Sequence, residues 1–170
     1  TVERPVPPGV AEVVRVESAA EMEAAVVPRA AGQDVVVMAA AVADFRPKAV
    51  NERKTKKEDG PPDIALEPTH DFLVDLGERK QPGQILVGFA AETENLVANA
   101  AAKLARKRLD LVVANDVSAA DAGFDVDTNR AIFLDTNGGV EELPLMTKDA
   151  LAATIVDRIA DALGIPAAPA

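Results

Sequence analysis

Three short runs of apolar residues constrain most strongly what this chain can fold into. They are 34–38 (DVVVM, with three consecutive valines), 85–89 (ILVGF) and 111–114 (LVVA). An uninterrupted apolar run of strand length is typical of a strand buried on both faces, as in a parallel sheet. Helical patterns separate the runs, and alternating strands and helices predict a parallel sheet with right-handed crossovers. The segment 131–145 has Asn137, Gly138 and Gly139 at its centre and predicts an antiparallel hairpin at the carboxyl end.

The remaining segments predict two further short strands and four helices. Short strands are expected at 11–16 and 64–66. Helices are expected at 19–29, 70–79, about 92–108 and about 148–163. Ser18, Thr69 and Thr147 are the expected N-caps, with Glu21 completing a capping box after Ser18. Pro28 should end or kink the first helix, and Gly164 should end the last.

Composition narrows the class of protein. The chain has 170 residues, enough for a single domain with a substantial core, and a net charge of −10. That charge argues against nucleic acid or an anionic membrane as the main partner. The absence of cysteine excludes disulfides and thiolate chemistry. No apolar run reaches membrane-spanning length, so we expect a cytoplasmic protein. Neither G-x-G-x-x-G nor a P-loop occurs.

One region combines a strand end, a carboxylate and a run of cations. The first apolar run passes through small residues to Asp44, and the carboxyl ends of parallel strands are where open α/β sheets bind ligands. A basic segment follows at 46–62, called the strap, and we expect it to be flexible. Its cations are Arg46, Lys48, Arg53, Lys54, Lys56 and Lys57. A mobile cationic lid suits a polyphosphate, although such a run is more often a solvated loop. The tail 165–170 is expected to be disordered.

Three motifs, taken together, carry a resemblance to a known family. They are AAAVADF at 39–45, VGFAAET at 87–93 and K-x-x-x-K-x-x-D-L-V-V-A-N-D at 103–116. In this order the chain resembles phosphopantothenoylcysteine synthetase, which in many bacteria is the C-terminal half of a bifunctional decarboxylase/synthetase flavoprotein. The resemblance implies a Rossmann-like three-layer α/β/α domain that works as a homodimer.

The resemblance also implies a reaction in coenzyme A biosynthesis. CTP activates the carboxylate of 4′-phosphopantothenate as an acyl-cytidylate, and L-cysteine then attacks to give the amide, CMP and pyrophosphate. Mg²⁺ is expected on the nucleotide phosphates, with unknown protein ligands. FMN would belong to an attached decarboxylase domain and not to this chain.

The site residues implied by the resemblance fall at strand ends, in the strap and on two helices. Lys54 is the expected catalytic residue. CTP contacts are expected at Met38, Ala39, Ala40, Asp44, Lys54, His70, Asp71, Phe72, Leu73, Phe89, Lys103 and Lys107, and substrate or metal contacts at Asn115 and Asp116.

Several of these residues also have an ordinary structural explanation. Asp44, Asn115 and Asp116 could cap loops, and Phe89 could be a core residue. Lys103 and Lys107 are spaced i, i+4 on one helix face, where cations near the carboxyl end favour the helix dipole.

The family's glycine-rich first loop and its Asn-Arg-Ser-Ser-Gly-Lys segment are missing, so we expect the chain to begin after them. Two other functions therefore stay open. One is a catalytically silent nucleotide-binding or dimerisation module. The other is a degenerate NAD(P)-dependent oxidoreductase.

Overall fold

The computed structural model describes residues 6–49, 60, 63–92, 94–116 and 126–166. The helices are α1 (Ala19–Ala30), α2 (Phe72–Glu78), α3 (Leu96–Arg106) and α4 (Lys148–Ala162). The strands are β1 (Val35–Met38), β2 (Phe45–Pro47), β3 (Leu66–Pro68), β4 (Ile85–Glu92), β5 (Leu111–Asp116), β6 (Thr128–Asn129), β7 (Ala131–Asp135), β8 (Val140–Glu142) and β9 (Met146–Thr147). No helix in these ranges is long and apolar enough to cross a membrane.

The chain divides into two compact units, and the single domain expected from the sequence stays a prediction. The smaller unit contains residues 1–29 and 42–70, and the larger contains 30–41 and 71–170. The larger unit holds all three predicted apolar runs and all but one of the helices.

The larger unit is built on a mixed sheet of five strands in the order β1-β4-β5-β7-β8. β1, β4 and β5 are parallel, while β7 and β8 run antiparallel to their neighbours. This confirms the predicted mainly parallel sheet with an antiparallel hairpin at its carboxyl end. Gly138 takes a positive φ of 79° in the hairpin turn, a conformation that glycine adopts without steric cost.

Helices cover both faces of this sheet. One face packs against α4 through Val87, Val113, Phe133, Leu151 and Ile155. On the opposite face, a Cβ added to Gly88 would lie 2.6 Å from Leu109 Cδ1 and 3.6 Å from Leu73 Cδ2, so α2 and the turn after α3 approach there. Because few aromatic residues are available, the centre of the core is aliphatic.

The first apolar run is an edge strand, not a doubly buried one. β1 pairs only with β4 among the described strands, and Val37 is 45% exposed. The strand predicted at 11–16 is wrong as well. Those residues form no strand, and Val13 and Val14 are largely exposed. A valine-rich run specifies a strand only where a neighbour supplies its backbone partners.

The helix caps are partly as predicted. Ser18 Oγ accepts a hydrogen bond from Glu21 N, and Glu21 Oε2 accepts one from Glu17 N. The bond from Glu17 N lowers the pKa of the Glu21 carboxyl. α1 continues two residues past Pro28. Thr147 Oγ1 accepts from Ala150 N and caps α4 as predicted.

Other helix ends were predicted incorrectly. Asp71, not Thr69, is the N-cap of α2. α3 begins at Leu96 because β4 continues to Glu92 and Asn95 turns the chain with a positive φ of 51°.

The end of α4 is as predicted. Gly164 N and Ile165 N donate to Asp161 O and Ala160 O, which is the expected glycine-capped ending.

The smaller unit contains an antiparallel pair that the sequence only half predicted. β2 pairs with β3 in the register Phe45↔Pro68 and Pro47↔Leu66. The first residues of the predicted flexible strap are therefore in a strand, and Arg46 forms an ion pair of 2.8 Å with Glu67. Most of the strap, 50–59 and 61–62, lies outside the described residues, as does 167–170 of the predicted tail.

The turn that follows α3 is in very close contact with α2. A Cβ added to Gly77 would lie 2.0 Å from the backbone oxygen of Lys107. The turn itself is closed by bonds from Arg108 N to Ala105 O and from Leu109 N to Leu104 O. Leu109 is 1% exposed, so the turn is anchored in the core and cannot shift freely.

We predict that Gly77→Ala destabilises the protein by about 2 kcal/mol, because a methyl group would collide with a backbone atom. Helix propensity alone would make the same change stabilising by about 1 kcal/mol. Urea unfolding of the variant measures whether the free energy of unfolding falls or rises. Gly88→Ala is the matched control and should cost less, since its added methyl collides with the end of the Leu109 side chain and not with a backbone atom. A Gly77→Ala protein as stable as the wild type would contradict this packing.

Candidate active site

The carboxyl ends of three parallel strands meet at one edge of the sheet. Met38 is in register with Gly88, and Gly88 with Val112. Ala39 and Ala40 follow β1 directly, Phe89 follows Gly88, and Asn115 lies three residues beyond Val112. These predicted site residues therefore lie along the same edge. β4 and β5 both run further than predicted, to Glu92 and Asp116, so they extend this edge beyond the end of β1.

Lys103 and Phe89 are joined by a hydrogen bond. Lys103 Nζ donates to the backbone oxygen of Phe89 over 2.6 Å. The Phe89 side chain is half-buried and packs against the core cluster under α4. The ring is thus partly a core residue, as the structural explanation held, while its backbone oxygen holds the ammonium of Lys103 close to the strand end.

Lys107 and Asp71, two predicted nucleotide contacts, bind each other. Lys107 Nζ lies 2.8 Å from Asp71 Oδ1 and 2.7 Å from Asp71 Oδ2. The Lys107 side chain is only 9% exposed, whereas that of Asp71 is 41% exposed. Arg106 approaches the same carboxylate more distantly, at 3.5 Å. The carboxylate of Asp71 makes no hydrogen bond to the helix it caps, so it serves Lys107 instead.

The residues after Asp71 point into the protein. Phe72 is 3% exposed and Leu73 is 8% exposed. A ligand near this turn would therefore meet their backbone and not their side chains. His70 belongs to the smaller unit, two residues before α2, and its Nδ1 lies 2.9 Å from Glu23 Oε1.

The predicted carboxylate Asp44 belongs to the smaller unit and is exposed. Its backbone oxygen accepts a hydrogen bond from Thr69 N over 2.8 Å, which ties it to the end of β3. Lys54, the expected catalytic residue, lies outside the described residues, and the side chain of Asp116 is likewise not described. These three predictions stay predictions.

Two asparagines near the strand ends have buried oxygens that lack a partner. Neither Asn115 Oδ1 nor Asn129 Oδ1 receives a hydrogen bond within the described part of the chain. Asn129 was missed from the sequence, yet a signal was present. Asn129, Ala131 and Phe133 alternate with more exposed residues, and all three are buried. A polar residue in the buried phase of an alternating pattern indicates a special role.

No three acidic or histidine side chains of the described ranges come together as a metal site. Carboxylate oxygens are the protein ligands that Mg²⁺ prefers. No such cluster among the described residues fits a magnesium ion held by protein ligands alone, and the side chain of Asp116, an expected metal contact, is not described.

A large groove lies at the other end of the sheet. It measures about 740 Å³ and is lined by residues at the amino ends of β4 and β5 and at the carboxyl end of α4, among them Lys80, Asp110, Asp135 and Arg158. None of the predicted site residues lines it. The chemistry predicted from the sequence lies at the opposite edge of the sheet.

Comparison with known proteins gives a consistent result. Residues 1–163 match the family model described as the DNA/pantothenate metabolism flavoprotein C-terminal domain. Over 154 residues the chain is 48% identical to the coenzyme A biosynthesis bifunctional protein CoaBC of Bacillus subtilis (strain 168), which covers 91% of this chain and 38% of that protein. The chain thus spans well under half of this relative.

Solved structures agree on the fold. The crystal structure of the C-terminal domain of a coenzyme A biosynthesis bifunctional protein CoaBC matches with a TM-score of 0.71 and 39% identity, over 90% of this chain and 66% of that one. A Cab2 mutant, H337A, in complex with phosphopantothenate-cysteine matches with a TM-score of 0.56 and 20% identity, over 76% of this chain and 45% of that one. At that identity the second match concerns the fold alone.

We predict that Asp71 and Lys107 stabilise the fold as a pair. Asp71→Asn and Lys107→Met should each cost about 2 kcal/mol, because each leaves a partner charge without its counterion. The double variant should cost clearly less than the sum, which a double-mutant cycle of urea unfolding measures. Arg106→Met is the control and should cost less than about 0.5 kcal/mol, since Arg106 is exposed. If the two changes in the free energy of unfolding simply add in the double variant, Asp71 and Lys107 do not stabilise each other.

Proposed function

The chain belongs to the family of the DNA/pantothenate metabolism flavoprotein C-terminal domain, and on that premise we propose that it acts in coenzyme A biosynthesis as a CTP-dependent ligase. The ligase joins 4′-phosphopantothenate to L-cysteine. A carboxylate oxygen of phosphopantothenate attacks the α-phosphorus of CTP, and pyrophosphate leaves. The amine of cysteine then attacks the acyl carbon, CMP leaves, and the amine proton passes to solvent.

One observation carries this proposal: the convergence of Met38, Ala39, Ala40, Phe89 and Asn115 at the carboxyl edge of the parallel strands. Small residues directly after β1 leave backbone N–H and C=O groups accessible to a ligand. The nucleotide would lie along this edge, with the ring of Phe89 as an apolar contact. The names of the relatives support the same pathway, since the Bacillus relative is named for coenzyme A biosynthesis.

The two lysines of α3 would have different tasks in such a site. Lys107 is nearly buried and neutralised by Asp71, so it would fix the turn on which Asp71 and Phe72 lie. Lys103 is held against the strand end by Phe89 O, which keeps a positive charge beside the nucleotide. Charge that develops on the leaving pyrophosphate would then be stabilised by Lys103 and by Lys54 of the strap. Magnesium would enter with CTP, and no step is assigned to it.

The test is release of pyrophosphate by this chain and by the longest open reading frame that contains it. We expect release with CTP and 4′-phosphopantothenate, and formation of CMP once cysteine is added. ATP and NAD are the controls. Calorimetric binding of CTP without turnover in either form would favour the silent binding module, and binding of NAD would favour an oxidoreductase. No binding of CTP by either form would end the proposal.

Lys54→Gln tests the expected catalytic residue within the same assay. Loss of one well-placed charge at the reacting phosphates should lower kcat about a hundredfold. The KM for CTP should change far less, since the charge acts mainly as pyrophosphate leaves. Arg79→Gln is the matched control and should leave kcat unchanged, because Arg79 is 69% exposed and precedes Lys80, which lines the groove at the opposite edge of the sheet. Equal turnover of the Lys54→Gln variant and the wild type would remove Lys54 from the mechanism.

The proposed ligase would work as a homodimer, and the smaller unit offers a surface for it. Phe45, Pro47, Leu66 and Pro68 lie on one face of the β2–β3 pair, while Arg46 and Glu67 lie on the other. Phe45 is 60% exposed and Leu66 is 59% exposed. An exposed apolar face on a two-stranded sheet is stabilised by association, because such a pair is marginal alone. A second copy of the same face is the occupant we propose.

Leu66→Glu should therefore weaken the dimer by tenfold or more, because it places a charge in the apolar face. Sedimentation equilibrium of the chain measures the dissociation constant. Val156→Glu is the matched control, since Val156 is 62% exposed on α4 in the other unit. A dimer that tolerates Leu66→Glu as well as Val156→Glu would place the interface elsewhere.

A further inference from the structure

Asn129 and Asn115 each present a buried oxygen that the described protein does not satisfy. Asn129 is 7% exposed, and its Oδ1 receives no hydrogen bond from the described residues. The same holds for Asn115 Oδ1. A buried carbonyl oxygen without a donor destabilises a folded protein, so such groups are rare and usually have a reason.

The register brings the two asparagines near each other, although only Asn115 belongs to the five-stranded sheet. Asn115 is directly opposite Ala131 in the antiparallel register, and side chains of opposed residues share a face. Asn129 lies in β6, which pairs with β9, and precedes Ala131 by two positions; both residues are buried. Met146, which is opposite Asn129 in the β6–β9 pair, packs against the core cluster that contains Ala131. Two independent registers therefore bring both asparagines close to Ala131.

This end of the sheet adjoins the candidate active site. Ala91 is the register neighbour of Asn115 on β4, and it is small and exposed. Phe89 precedes Ala91 by two positions on the same face. A ligand along the carboxyl edge could thus touch the Phe89 ring and still reach the two amide oxygens.

We propose that Asn129 Oδ1 and Asn115 Oδ1 form a binding site for an amino group. Both are neutral acceptors, and an amino group supplies two or three N–H donors. The proposal rests on the proposed function, whose reaction contains two such groups: the exocyclic amine of cytosine and the α-amine of cysteine. The shared chemistry is an N–H donor that meets a pair of carboxamide oxygens.

Neutral acceptors suit either source better than carboxylates would. An attacking amine must lose its proton, and a carboxylate beside it would raise the pKa of the amine. A carboxamide oxygen binds the amine without that penalty. If the ligand is the base, the buried carboxamide oxygen accepts a hydrogen bond from the amino group of cytosine. Uracil would instead place a carbonyl oxygen there, so that two acceptors would face each other without a donor.

The test compares Asn129→Leu with the wild type in the ligase assay, with Asn99→Leu as the matched control on exposed α3. Leucine has the same branching and the same number of side-chain heavy atoms as asparagine, and it removes the acceptor. If the base amine is the source, the ratio of kcat/KM for CTP over UTP should fall about tenfold while the KM for cysteine stays constant. If the amine of cysteine is the source, its KM should rise about tenfold at unchanged CTP/UTP ratio.

Asn129→Asp separates recognition of an amine from a structural role. The carboxylate still accepts hydrogen bonds, so whichever quantity Asn129→Leu changes, the CTP/UTP ratio of kcat/KM or the KM for cysteine, should return toward its wild-type value in Asn129→Asp. If cysteine is the source, the pH profile of its attack should move to higher pH, because the charge raises the pKa of the amine. A merely structural asparagine would produce neither the rescue nor the shift.

Thermal unfolding without ligands gives an outcome that does not depend on turnover. Asn129→Leu should leave Tm unchanged or raise it, because it removes an unsatisfied buried oxygen. A fall in Tm of several degrees would show that the oxygen has a partner in the free protein and would overturn the amino-group site. An active wild type whose Asn129→Leu and Asn99→Leu variants have identical selectivity would overturn it too, with the ligase proposal intact. An inactive wild type would reject the ligase proposal separately.

Discussion

The close approach of the turn after α3 to α2 and β4 is the constraint on which the candidate site depends. Gly77 allows the backbone oxygen of Lys107 to come within 2.0 Å of where a Cβ would be, and Gly88 makes room for Leu109. Leu109 anchors the turn in the core. Because no side chain separates these backbones, the position of Lys107 is set to within a few tenths of an ångström. Arg108 keeps a positive φ of 50° in this turn, which shows how strongly the surrounding packing determines it.

This rigidity explains why Lys103 and Lys107, which are four positions apart on one helix face, have different environments. Lys103 lies one helical turn before Lys107 and reaches the end of β4, where a backbone oxygen receives its ammonium. Lys107 lies at the C-cap, where the turn brings it to Asp71 and away from solvent. Spacing of i, i+4 puts both on one face of α3, but the neighbouring elements decide what each contacts. The sequence pattern placed both lysines on one helix face, whereas their separate contacts could be read only from the packing.

Sequence reasoning succeeded where local chemistry determines structure. β4 and β5 are buried central strands, and their continuous apolar runs are enough to identify them. The caps of α4 follow from Thr147 and Gly164 for the same reason. Sequence reasoning failed where a residue distant in the chain determines whether a segment forms a strand or is buried. The valines at 11–16 resemble those of β1, yet only β1 finds a neighbouring strand. Asn129 was missed because two-residue strands such as β6 have too short a pattern, and its burial depends on β9 and α4.

The two edges of the sheet differ in how their polar groups are satisfied. At the amino edge, Asp110 Oδ2 accepts from Leu86 N over 2.7 Å, and Lys80 Nζ binds both oxygens of Asp110. Asp135 Oδ1 accepts from Asn137 N and Gly139 N. At the carboxyl edge, the buried oxygens of Asn115 and Asn129 have no donor within the described residues. Polar groups that serve only the fold are expected to be satisfied by the fold, and groups left unsatisfied are expected where a ligand completes them. The asymmetry argues for function at the carboxyl edge, even though the groove of about 740 Å³ lies at the other edge.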